Sequence, residues 1–179
     1  MKGVVFVGFF ELVEKEFGYE MVDKLIESCE LESEGIYTSV GTYSHGEMVQ
    51  LVTKLSEFSK IPVPDLLKVY GKYFGKAHLR KYEPFYKNCT NTFDFLESIH
   101  DHIHVEVKKL YPKAELPHFA SERISPSELH LYYTSLRKMS DFAEGLIEDT
   151  AMYYSESLTI DKEMIEADGS KVKFIIKLV

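Results

Sequence analysis

Two short stretches carry residue types that could bind a ligand or an ion. His100-Asp101-His102-Ile103-His104 places three imidazoles within five residues. A neutral imidazole is a ligand for many metals, and the nitrogen that binds is set by what holds the other one. Tyr133-Thr134-Ser135-Leu136-Arg137 places two hydroxyls and a guanidinium at alternate positions. Alternate side chains on a strand share a face, so Tyr133, Ser135 and Arg137 would form a row. Such a row can grip carboxylates or a phosphate, because the guanidinium gives two parallel donors and the hydroxyls fill the remaining lone pairs. The plainer reading of the same residues is a solvated strand face with a surface arginine.

The histidines fall within helical spacing. Phe93, Leu96, Ile99, Ile103, Val107 and Leu110 recur at three- and four-residue steps after Thr90 and Asn91, both suited to capping, and Tyr111-Pro112 ends the run. Stepping about 100° per residue puts His102 on the wet side and leaves His100 and His104 one turn apart on the margin of the apolar stripe. Both are either boundary histidines bonded to backbone or water, or ligands. Zinc suits them poorly, since neither an HExxH pattern nor paired cysteines supply further ligands. Haem iron suits them better, because the porphyrin supplies four ligands and one imidazole completes the protein's share. Phe6, Phe9, Phe10, Phe74, Phe142 and Leu146 would pack an ordinary core or a flat cofactor equally well.

Other chemistry finds little support. The carboxylate-rich stretches Glu27 to Glu34 and Asp161 to Glu166 read as solvated turns or faces. A nucleophile elbow, a Walker loop and a GxGxxG sequence are all missing from the chain.

The elements that must position these groups can be read from period and punctuation. With 179 residues, about 1.2 domains are expected, hence one compact unit or two interdependent lobes. The formal net charge of −8 opposes the field of a nucleic acid or an anionic membrane. Cys29 and Cys89 have no CxxC companion, which fits a reducing cytoplasm. The N-terminus lacks the pattern of a secretory leader, and no uncharged run approaches the roughly 18 residues of a membrane span.

Val5, Phe9, Leu12 and Val13 predict a first helix ending before Gly18, and Tyr19 to Cys29 a second. Ser44 and Glu47 form a capping-box pattern for a third, which Pro62 and Pro64 stop, and Asp65 favours a fourth. Beyond Pro117 the period changes. Phe119 to Ile124 and Glu128 to Arg137 read as a hairpin around Ser125-Pro126-Ser127, followed by a helix from about Lys138 to Tyr154. Leu158 to Ile165 and the alternating Val172, Phe174, Ile176, Leu178 form a second hairpin around Asp168-Gly169. The fold class is α+β: a mostly helical lobe over about 1–112, packed on a lobe with a small antiparallel sheet and a helix over about 113–179.

Taken together, these residues resemble the haem nitric oxide/oxygen binding (H-NOX) domain, found as stand-alone bacterial proteins and in the haem subunit of soluble guanylate cyclase. The resemblance runs from Met1-Lys2-Gly3 through Phe95-Leu96 and Tyr111-Pro112 to the Y-x-S-x-R pattern of Tyr133, Ser135 and Arg137. It implies haem b between the lobes, ligated by His104, seven residues before Tyr111. It also implies a propionate clamp of Tyr133, Ser135 and Arg137, and a porphyrin-pressing Pro117. Val5 and Phe9 would line the distal pocket, with Phe74, Phe142 and Leu146 packing the cofactor.

Oxygen-binding members carry a tyrosine where this chain has Phe142. A hydrogen bond to a partly anionic ligand is worth about 1.5 to 3 kcal/mol, and phenylalanine cannot supply it. The resemblance therefore implies a nitric oxide sensor with carbon monoxide as a second gas, unless Tyr70 or Tyr73 donates from elsewhere. It implies no cysteine-held zinc, no enzyme activity, and a separate partner, either a histidine kinase or a cyclic-di-GMP enzyme. The rival expectations are a haem-free module whose clamp holds a soluble anion, and a metal-dependent enzyme using His100 and His104.

Overall fold

The computed structural model describes residues 1–110 and 114–179, so the expected helix end at Tyr111 and Pro112 lies outside the described residues. Helix α1 (Gly3–Phe17) buries Phe6, Phe9, Leu12 and Val13 at the expected three- and four-residue steps, with Val5 half-buried beside them. Gly18, at φ 85°, turns the chain into α2 (Tyr19–Glu27), which ends two residues short of Cys29.

Ser44 caps α3 (His45–Ser59) by accepting from the Gly46 amide at 3.1 Å. The other half of the expected capping box does not form. Glu47 is buried, and its carboxylate takes the hydroxyls of Ser33 and Tyr37, which ties the 28–44 segment to α3. Pro62 precedes α4 (Val63–Ala77), and Pro64 sits in its first turn, where a missing N–H costs nothing.

A short helix α5 (Glu83–Lys87) leads to α6 (Thr92–Ser98), whose N-terminus is capped by the Asn91 side chain accepting from the Asp94 amide at 2.9 Å. The expected single long helix is interrupted by a π turn over Ile99–Ile103 before α7 (His104–Leu110). Such a turn carries extra chain per revolution and shifts the phase of the residues after it.

The C-terminal strands are β1 (His118–Ser125), β2 (Glu128–Thr134), β3 (Leu158–Met164) and β4 (Lys171–Leu178), all antiparallel in the order β1-β2-β4-β3. Pairings such as Leu131 with Phe174 and Tyr133 with Val172 gather the apolar alternates on one buried face. Strand β2 ends at Thr134 rather than at Arg137. There the Ser135 hydroxyl accepts from the Arg137 amide at 3.1 Å and Lys138 takes φ 53°, so the chain turns out of the sheet.

The architecture is α+β, with two groups of buried apolar residues. One holds Phe6, Phe9, Leu51, Leu55, Tyr70 and Phe74 from the first four helices, together with Met139. The other holds the sheet's inner face with Tyr86, Phe93, Phe95 and Leu96, so the grouping changes earlier in the chain than the expected lobe boundary near 112. Helix α8 (Ser140–Tyr153) serves both: Phe142 and Leu146 pack on the first group, while Ala143 and Ile147 belong to the second. Its contact with α4 is backbone on backbone, since a Cβ on Gly71 would lie 2.2 Å from the Phe142 carbonyl oxygen and one on Gly145 2.1 Å from that of Lys68.

Candidate functional site

His104 opens α7 immediately after the π turn and is half-buried, whereas His102 is exposed, as the helical phase predicts. His100 departs from that phase. It is exposed rather than on the stripe's margin, with its ring 6.4 Å from that of His104 and 4.2 Å from that of His118. The π turn between them is the physical reason, because it unwinds the register that a regular helix would keep.

Burial pushes the His104 pKa down to about 4, with the charges of His100, Lys108 and His118 acting in the same direction. The imidazole is therefore neutral at physiological pH, the form that ligates a metal. Its ring faces Phe119 at 5.9 Å, and among the described residues neither ring nitrogen has a hydrogen-bond partner. Pro117, half-buried, lies immediately before β1, two residues from Phe119.

Tyr133, Ser135 and Arg137 are brought together, but by a strand end and a turn rather than by one strand face. The Tyr133 side chain lies in the second core, and its hydroxyl accepts from the Met139 amide at 3.0 Å. Burial raises its pKa, so it keeps a proton to donate. The Arg137 guanidinium reaches Glu115, from Nη1 to the carbonyl at 2.5 Å and from Nη2 to the carboxylate at 3.0 Å. Because Glu115 is 88% exposed, this rim pairing is weak and a second carboxylate can compete for the same donors. The chain crosses between the two cores within this segment, since Tyr133 belongs to one and Met139 to the other.

Val5, Phe9, Phe74, Phe142 and Leu146 all fall in or against the first core. Phe74 and Phe142 have ring centroids 5.7 Å apart, and Tyr70 bridges Phe9 at 5.5 Å and Phe142 at 5.0 Å. The Tyr70 hydroxyl donates to the Val5 carbonyl, and that of Tyr73 points to Glu11 at 3.5 Å. Both tyrosines are, on sequence alone, alternative donors to a bound gas, and each hydroxyl has a protein acceptor instead. Two further residues escape sequence reasoning: His45, which meets the clamp turn, and the buried Tyr86. Each is joined to its contacts across a long sequence separation, which local period does not encode.

Among the described residues, no group of three or more His, Cys, Asp or Glu side chains is arranged to hold a metal, so His100 and His104 do not form part of such a cluster. The residues present fit haem instead: a neutral, partly buried imidazole, a guanidinium that already donates to a carboxylate, and an aromatic cluster with its hydroxyls occupied. Among the described residues no helix is long and apolar enough to cross a membrane.

A two-core α+β domain with a neutral, half-buried imidazole and a rim guanidinium paired to an exposed carboxylate offers groups of the kinds that hold a prosthetic group. The chain belongs to the Haem-NO-binding family, which matches residues 2–162, and members of that family are haem-based gas sensors. Among solved structures it is similar to the unliganded ferrous H-NOX protein from K. algicida, at 44% identity and a TM-score of 0.96, covering 100% of this chain and 97% of that one. It is also similar to the H-NOX from Shewanella woodyi, determined with IWP-051 bound and in the Fe(II)CO state, at 45% identity and a TM-score of 0.84, covering 100% and 95%. An H-NOX protein from S. oneidensis in the Fe(II)NO state shares the fold, with 24% identity and a TM-score of 0.90 over 100% of this chain and 99% of that one. No curated protein matches the chain.

Proposed function

We propose that this protein is a cytoplasmic sensor whose haem b would be held through His104, that takes nitric oxide at ferrous iron and that signals to a separate partner. The observation that carries the choice of gas is the occupied hydroxyl of Tyr70 beside Phe142. With Phe142 offering no donor and Tyr70 bonded to the Val5 carbonyl, the aromatic cluster has no hydroxyl to spare for bound oxygen. That donor is worth roughly 10- to 150-fold in oxygen affinity, while nitric oxide depends on it far less.

Haem, when bound, supplies the iron that takes the gas. His104 would ligate that iron through a neutral nitrogen, which the burial that lowers its pKa keeps unprotonated. Tyr133, Ser135 and Arg137 would hold the propionates, the Arg137 guanidinium being one that pairs, among the described residues, only with the exposed Glu115 carboxylate. Pro117, in the segment that leads into β1, would press on the porphyrin. Val5, Phe9, Phe74, Phe142 and Leu146 exclude water from the gas-binding side. The output is a change in how the two cores sit across α8 and the clamp turn, which regulates a partner only if its affinity differs between the two arrangements. By resemblance that partner is a histidine kinase or a cyclic-di-GMP enzyme, separated by adding the purified sensor, with and without nitric oxide, to each.

The test is spectroscopic. Ferrous protein prepared without oxygen should change its absorbance on nitric oxide, and carbon monoxide should do so as a second gas, while air should leave the unliganded spectrum in place. A stable oxygen complex of the unmodified protein would contradict the reading.

A further inference from the structure

His45 is the first residue of α3, and its side chain meets the clamp turn from the other core. Its Nε2 lies 3.1 Å from the Arg137 carbonyl oxygen, which can only accept, so Nε2 carries the proton. The other nitrogen, Nδ1, is fully buried and has no partner among the described residues. In a neutral ring it is a bare lone pair. Burial, the Arg137 charge and the N-terminal amine all lower the pKa of this imidazole, against the backbone hydrogen bond that raises it. One donor of fixed direction thus links α3 to the residue whose guanidinium faces the carboxylate position.

The turn carrying Arg137 is tied on the sheet side by the Ser135 amide donating to the Ser170 carbonyl at 2.9 Å and by Lys138 pairing with Asp168 at 3.0 Å, and neither tie reaches α3. Within it, the Arg137 amide is held by the Ser135 hydroxyl at 3.1 Å and the Lys138 amide by the Ser135 carbonyl at 3.3 Å, while Leu136 is 92% exposed. These bonds are internal to the turn and do not orient it relative to α3. A guanidinium makes parallel bonds to a carboxylate only when its plane is aligned, so fixing the backbone beneath it matters.

We propose that His45 is a positioning residue for the carboxylate clamp, its Nε2–H anchoring the Arg137 carbonyl so that the guanidinium is aimed at the propionate. This rests on the reading of Arg137 as a clamp residue. It also makes His45 a polar tie between the two cores at the clamp, so clamp movement is felt at the start of α3.

The test uses haem-loaded protein and the rate of hemin release to excess apomyoglobin. His45→Ala should speed release about fivefold, the worth of one neutral hydrogen bond, and His45→Gln, whose amide can donate to the same carbonyl, should return it to within about twofold of the parent. In a double-mutant cycle, His45→Ala should add almost nothing on top of Arg137→Ala, because positioning has no value without the guanidinium. A purely structural role would add in full in the double variant and would not be rescued by glutamine. Release at the parent rate from His45→Ala, or full additivity with Arg137→Ala, overturns the proposal while leaving the clamp intact. If Arg137→Ala itself releases hemin at the parent rate, the clamp reading fails and this proposal falls with it.

Discussion

Among the described residues, two places where the two cores meet are built in opposite ways. Along α4 and α8 the contact is tight: Gly71 and Gly145 let the backbones touch, and charged pairs flank them. Arg80 binds Asp149 through two nitrogens, at 2.6 Å and 3.1 Å, and reaches its carbonyl as well, although Asp149 is almost wholly buried. Lys68 and Lys162 share the buried Glu144. At the turn holding Arg137 the cores are joined by the buried hydrogen bond from the Met139 amide to the Tyr133 hydroxyl, by the His45 hydrogen bond and by an exposed ion pair to Glu115, with an exposed leucine at the tip. The first seam is held by close backbone contact and buried charge, the second by hydrogen bonds and exposed charge. The second is the more adjustable seam by construction, and it carries Tyr133, Ser135 and Arg137, the residues proposed above to hold the propionates.

The contrast breaks most visibly at Arg80. Arg80→Ala leaves the Asp149 carboxylate buried without its partner and should cost about 3 to 5 kcal/mol, read from the denaturation midpoint. Adding Asp149→Asn should recover part of that loss. Phe142→Tyr, on the same seam, should raise oxygen affinity roughly 10- to 150-fold, seen as an oxygen complex when reduced protein meets air. Gly145→Ala must push α8 off the Lys68 carbonyl and should cost about 1 to 3 kcal/mol in thermal or chemical unfolding. On the adjustable seam, Glu115→Ala should change stability by less than about 0.5 kcal/mol, since its ion pair is solvated. His102→Ala, on the wet face of the π turn, should leave haem content unchanged, and a large loss there would mean that the ligand assignment has the wrong phase.

Much of this architecture is legible wherever local pattern and tertiary structure agree. The α1 stripe, the prolines between α3 and α4, both hairpins and the wet His102 come directly from period and punctuation. The pattern misleads where a distant group outcompetes a local one. Glu47 matches a capping box, yet the Ser33 and Tyr37 hydroxyls take its carboxylate. Ser135 and Arg137 continue the β2 alternation, yet the Ser135 side chain closes a turn on the Arg137 amide. The π turn changes the setting of His100 relative to His104 without any composition signal. The Tyr70 to Val5 bond and the His45 contact depend on pairs 65 and 92 residues apart, beyond the reach of any window.

The most direct measurement is haem content by Soret absorbance in the parent and in His104→Gly, with and without added imidazole. The parent should be strongly coloured, the variant should lose haem on purification, and imidazole occupying the vacated position should restore it. A parent that stays colourless with added hemin would favour a haem-free module holding a soluble anion at the clamp. A His104→Gly variant that keeps haem without imidazole would contradict ligation by His104.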